Sequence, residues 1–145
     1  MSELRHVGIV VSNLDRSLAF YAGALGLQEV ARNDENGPFL DGLLGMTDAR
    51  VTTVKLKGRN TPGQIELLAF ESPDMQTAEK PLNACGVTHI ALQVEDLDTI
   101  YQRLSKSGTP FNAAPAMSPD GGAKVAFCRD PDGTFLELVE LQGAS

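Results

Sequence analysis

Alternation of apolar and polar positions recurs along this chain, interrupted by stretches of helical spacing. Leu4 to Val11 alternates and is rich in branched residues, which predicts a strand. Ser12 and Asn13 form a helix-capping pair. Leu14, Leu18, Tyr21, Ala22 and Leu25 then follow helical spacing, and Gly26 is placed to end that helix. Residues 28–32 read as a short strand and 33–37 as a polar turn. Phe39 to Met46 reads as a loop or one short helical turn. Alternation returns over Ala49 to Lys57 and over Gln64 to Phe70, across a turn-like stretch at 58–63. The order is β-α-β-β-β.

The same order returns after a connector at 71–86, which holds two prolines and several polar residues. Val87 to Val94 reads as a strand, and Leu97 to Ser107 as a helix ended by Gly108. Pro110 to Ala114 is a weaker strand, and 117–122 a turn. Lys124 to Arg129 is a strand, 130–133 a tight turn, and Phe135 to Leu141 the last strand. The expected fold class is therefore α+β. Two tandem βαβββ modules would form a curled eight-stranded mixed sheet with helices on its outer face. One domain would span 1–145, with module one at about 1–71, a linker at about 72–86 and module two at about 87–145.

The repeat is also visible residue by residue. RHVGIVVSNLDRSLAFY near the start matches THIALQVEDLDTIYQRL past the middle. His6 aligns with His89, Val11 with Val94, Leu14 with Leu97 and Asp15 with Asp98, all at one offset. QIELLAF carries Glu66 in the first half, and TFLELVEL carries Glu137 in the second. Each half supplies one His and one Glu on a strand-like segment, which suggests one metal ion on a pseudo-twofold axis.

Composition narrows the function classes. At 145 residues, 42% hydrophobic and 21% charged, the chain has the makeup of an ordinary globular domain with a proper core. The net charge of −7 argues against a nucleic-acid surface, which needs clustered Lys and Arg. No apolar run is long enough to span a membrane, and the opening MSELRHVG lacks the pattern of a secretory signal. A cytoplasmic location is expected. Cys85 and Cys128 form no CxxC pair and read as two reduced, partly buried thiols.

Strand phase tells which residues share a face. His6 shares its face with Leu4, Gly8 and Val10, and His89 with Val87, Ala91 and Gln93. Gly8 and Ala91 are equivalent and small, leaving space beside each imidazole. Glu66 lies with Gln64, Leu68 and Phe70, and Glu137 with Phe135, Val139 and Leu141. A carboxylate amid apolar neighbours costs several kcal/mol, on the order of a buried unpaired charge, unless a cation meets it. Lys and Arg are absent from these strand faces, so a metal ion is the expected partner of His6, Glu66, His89 and Glu137. Two imidazoles and two carboxylates suit Zn²⁺, Ni²⁺, Co²⁺, Mn²⁺ or Fe²⁺.

The paired modules, the strand-leading histidines and the ending FCRDPDGTFLELVEL resemble the vicinal oxygen chelate superfamily. That family includes glyoxalase I, methylmalonyl-CoA epimerase, extradiol dioxygenases, and fosfomycin and bleomycin resistance proteins. The resemblance covers nearly the whole chain. In the glyoxalase I pattern the metal ligands come from the first, fourth, fifth and eighth strands, positions held here by His6, Glu66, His89 and Glu137. The resemblance implies a divalent-metal-dependent lyase or isomerase of glyoxalase I or epimerase type. Such an enzyme abstracts a proton next to a carbonyl and stabilises an enediolate on the metal, with Glu137 and Glu66 as the catalytic carboxylates. The implied partner is a small molecule with vicinal oxygens. Basic residues like those that hold glutathione in true glyoxalases are not identifiable from the sequence.

Two other readings stay open. One is an Fe(II)-dependent ring-cleaving dioxygenase, which would need a further His that this chain does not have. The other is a non-catalytic antibiotic-binding resistance protein, whose relatives usually lack the metal ligands. Half-open sheets leave edges that a second copy would cover, so a homodimer is expected.

Overall fold

The computed structural model describes residues 1–143, and in them eight strands form with three α-helices. Hydrogen bonding groups the strands into two four-stranded mixed sheets, one in each of two units, Met1–Thr77 and Ala78–Ser145. The fold is α+β, built from tandem βαβββ modules.

Module one runs β1 (His6–Val10), α1 (Leu14–Leu18), β2 (Gln28–Asn36), α2 (Pro38–Leu44), β3 (Arg50–Lys57) and β4 (Gln64–Ser72). The strand order is β1-β4-β3-β2. β2, β3 and β4 form an antiparallel meander, whereas β1 lies parallel to β4. A parallel pair needs a long crossover, and α1 begins it. The Asn13 side chain caps α1 by accepting a hydrogen bond from the Arg16 amide at 3.0 Å. α1 continues into a π-helical segment, Ala19–Ala24, rather than holding α-geometry to Leu25. Gly26 then leaves the helix at φ +78, the left-handed conformation glycine adopts freely.

The core of module one lies between α1 with its π-helical extension and one face of the sheet. Ile9, Val11, Val54, Leu56, Ile65 and Leu67 come from the strands, and Phe20 and Tyr21 from the helical side. Leu40 of α2 packs with Ala49 and Val51, and Leu68 and Phe70 join them. Leu68 and Phe70 share the phase of Glu66, so this smaller cluster sits on the Glu66 face of β4.

Module two runs β5 (His89–Gln93), α3 (Leu97–Lys106), β6 (Ala116–Met117), β7 (Ala123–Arg129) and β8 (Phe135–Leu141), in the order β5-β8-β7-β6. β5 is parallel to β8, repeating β1 on β4. Leu97, Leu104, Ala126, Cys128, Leu136 and Leu138 are its buried residues on the helix side.

Two local expectations are corrected. The strand expected over 110–114 does not form. Phe111 makes a single bridge to Cys128, and the outer strand is the two-residue β6. Pro110 and Pro115 bracket that stretch and cannot donate to a ladder. The polar turn expected over 33–37 is instead mostly strand, because β2 continues to Asn36 against β3. No helix among the described residues is long and apolar enough to cross a membrane.

Candidate functional site

The parallel ladder of module one sets His6 opposite Gln64 and Gly8 opposite Glu66. His6 and Glu66 therefore emerge on one face, one residue pair apart. His6 Nε2 stands 3.7 Å from Glu66 Oε1. Module two repeats this. His89 is opposite Phe135 and Ala91 opposite Glu137, and His89 Nε2 stands 3.5 Å from Glu137 Oε2. Both carboxylates are largely covered, with side chains 14% and 25% exposed. The structure thus brings His6 together with Glu66, and His89 with Glu137. No group of three or more His, Cys, Asp and Glu among the described residues is gathered around one point.

The small residue beside each imidazole matters. A Cβ added at Gly8 would come 3.2 Å from Leu68 Cδ1, so even alanine requires a small shift of that leucine. Glycine keeps the strand open directly across from Glu66.

Both nitrogen-to-oxygen gaps, 3.7 Å and 3.5 Å, exceed the roughly 2.7–3.2 Å typical of a hydrogen bond. They fit two donors sharing an ion about 2.0–2.2 Å from each. The donor chemistry agrees, since imidazole nitrogen and carboxylate oxygen suit borderline divalent ions. The outward nitrogens differ between modules. His89 Nδ1 lies 3.0 Å from Thr88 Oγ1, which can accept its proton and leave Nε2 with a free lone pair toward Glu137. His6 Nδ1 is buried with no hydrogen-bond partner.

The expectation that no Lys or Arg meets these carboxylates is corrected. Lys55 of β3 is directly opposite Glu66, and its Nζ lies 3.8 Å from Glu66 Oε2. The cation comes from the neighbouring strand rather than from the carboxylate's own strand. Phe127 takes the equivalent place opposite Glu137, and its ring centroid is 5.2 Å from that of His89. The next row also carries basic residues in both modules. Lys57 is paired with Gln64, and Arg129 with Phe135, where the guanidinium lies 4.5 Å above the Phe135 ring. The alternation Thr53, Lys55, Lys57 contained the signal, but only the β3–β4 register puts it on the His6 face.

The thiols also depart from expectation. Cys128 is buried as foreseen, but Cys85 is exposed, because it falls in the irregular connector rather than on a strand.

A family model described as the Glyoxalase/Bleomycin resistance protein/Dioxygenase superfamily matches residues 3–138. The uncharacterized protein YwkD of Bacillus subtilis is 30% identical over 144 residues, spanning 97% of this chain and 98% of that protein. A lactoylglutathione lyase of Salmonella typhimurium is 31% identical over 144 residues, spanning 97% of this chain and 94% of its own. Among solved structures, a glyoxalase family protein from Bacillus cereus superposes with a TM-score of 0.90 over 99% of this chain and 96% of its own. At 24% identity it speaks for the fold alone. The trypanothione-dependent glyoxalase I of Leishmania major has a TM-score of 0.66 at 27% identity, covering 97% of this chain and 87% of its own. With the matched region running from residue 3 to residue 138 and taking in both His–Glu pairs, the chain belongs to the glyoxalase, bleomycin resistance protein and dioxygenase superfamily.

Proposed function

We propose that this protein is a divalent-metal-dependent lyase or isomerase of glyoxalase I or epimerase type. In this reading His6, Glu66, His89 and Glu137 hold one ion per chain. The observation that carries it is the duplicated pairing, an imidazole Nε2 facing a largely covered carboxylate at 3.7 Å in one module and 3.5 Å in the other. The same pair on equivalent strands of both modules supports reading the four side chains as a donor set. The relatives named lactoylglutathione lyase support the reaction class.

When bound, the ion would polarise a carbonyl and stabilise charge developing on its oxygen. The chain's own residues do the rest. Glu137 accepts the proton from the carbon beside the carbonyl through a carboxylate oxygen and returns it to the product. Glu66 offers the matching carboxylate from module one. His6 and His89 turn their Nε2 atoms toward the two carboxylates. Phe127, opposite Glu137, and Phe135, two residues before it, give the module-two face apolar surface. The substrate is a small molecule with vicinal oxygens. Two free thiols fit a reducing, cytoplasmic setting.

Metal analysis of the purified protein tests the donor set, with one ion per chain expected. Solvent deuterium incorporation into α-hydroxy, α-keto and acyl-thioester compounds tests the proton abstraction. Glu137→Gln should keep most of the metal and lose exchange, since an amide oxygen still coordinates but cannot take a proton. His89→Ala should lose metal affinity by about 10-fold or more, the scale on which site residues act. Undiminished exchange in Glu137→Gln would rule out the base role.

A further inference from the structure

Lys55 is a cation directly opposite Glu66 that the proposed ligand set does not use. It stands on the same face as His6 and Glu66, three-quarters covered, and its Nζ approaches Glu66 Oε2 only to 3.8 Å. That gap is beyond hydrogen-bonding distance, so the ammonium keeps its donors for something else. Its neighbours along the row are small. Ala31 of β2 is opposite Lys55 on one side, and beyond Glu66 stands Gly8. The row Ala31, Lys55, Glu66, Gly8 thus has one cation, one carboxylate, and no bulk at either end. Lys57 adds a second positive charge one row away.

Glu66 carries a single negative charge. If that charge is engaged by a metal ion, Lys55 is left with a largely covered charge and no other counter-ion among the described residues, which is costly. An anionic group on the substrate relieves that cost and forms a charge-assisted hydrogen bond. Module two lacks this feature, because Phe127 occupies the equivalent position.

We infer that Lys55 binds an oxyanion of the substrate beside the His6–Glu66 pair, so that the protein selects compounds carrying a carboxylate or phosphonate next to their vicinal oxygens. This rests on the metal-dependent reading above and names the substrate class within it.

The test measures binding, not turnover. Hydroxamates present two vicinal oxygens, so three probes are titrated by calorimetry into the Ni²⁺-loaded full-length protein: acetohydroxamate, its carboxylated analogue N-hydroxymalonamate, and phosphonoacetohydroxamate. Wild type should favour at least one anionic probe over acetohydroxamate by about tenfold, the effect of one charge-assisted contact. The tighter of the two names the oxyanion. Lys55→Met should remove that preference while still binding acetohydroxamate and nickel, and Lys55→Arg should retain most of it. An unchanged preference in Lys55→Met, or none in wild type, overturns the inference and leaves the metal reading standing. Failure of all three hydroxamates to bind wild type overturns the metal reading, and this inference with it.

Discussion

Cys128 and Cys85 show how much one residue's surroundings decide. Cys128 is fully buried on the helix side of β7, and burial, aided by the nearby Asp130 charge, pushes its thiol up to about 12. It stays protonated and inert at neutral pH, while Cys85 is exposed. Ellman's reagent should therefore label one thiol per native chain and both after denaturation. Cys85→Ser should abolish native labelling, and rapid labelling of that variant would contradict the assignment. At this scale the sequence was informative where strand phase alone sufficed. His6 and His89, each beside a small residue on its own face, could be read directly. Lys55 could not, because its meeting with Glu66 depends on which β3 residue lies opposite which β4 residue. That register is a hydrogen-bonding fact that alternation within β3 alone does not fix.

Among elements, helix starts were legible and sheet edges were not. Asn13 was recognisable as a cap because its chemistry is local. Asn13→Ala should cost about 1 kcal/mol, measured by urea unfolding. Asp96 caps α3 by accepting from the Thr99 amide at 3.2 Å. Hydrogen bonding to Thr99, side chain first and then backbone, lowers its carboxyl pKa below the ordinary 3.8. Because the folded value is depressed, this contribution is complete above 3.8 and is lost as pH falls through the folded value. The stability difference between wild type and Asp96→Asn should accordingly shrink below about pH 4. A constant difference down to pH 2, about two units lower, would show that the cap's charge is irrelevant. β2 escaped the sequence reading beyond Arg32 because it is a sheet edge, mostly exposed. Its polar half is held by the ladder to β3 and by Thr52 Oγ1 donating to Asp34 Oδ1 at 2.6 Å. An edge strand has no two-sided burial to impose alternation.

At the scale of the whole molecule, duplication made the fold readable. Two copies of one pattern predict two copies of one topology, and the β1-β4-β3-β2 and β5-β8-β7-β6 orders are the same path drawn twice. What duplication does not predict is divergence between the copies, seen where Lys55 in one corresponds to Phe127 in the other. The open edges of both sheets lead us to expect a homodimer. Sedimentation equilibrium at low micromolar concentration should give twice the chain mass. A monomer that binds one metal ion per chain with full activity would refute this.

The parallel ladders tie the donor pairs to the integrity of each module. His and Glu lie near opposite ends of a module's sequence, yet on neighbouring strands. The meanders β2-β3-β4 and β6-β7-β8 close through local connections, while β1 and β5 join only when the whole module closes around its helix. β1 and β5 are also terminal strands of their sheets, so each can detach without breaking any other ladder. Detachment separates the imidazole from its carboxylate and erases the pair. A nascent or partly unravelled chain therefore presents single His and Glu side chains rather than pairs, and if the pairs bind an ion as proposed, its tight capture would certify that a module has finished folding.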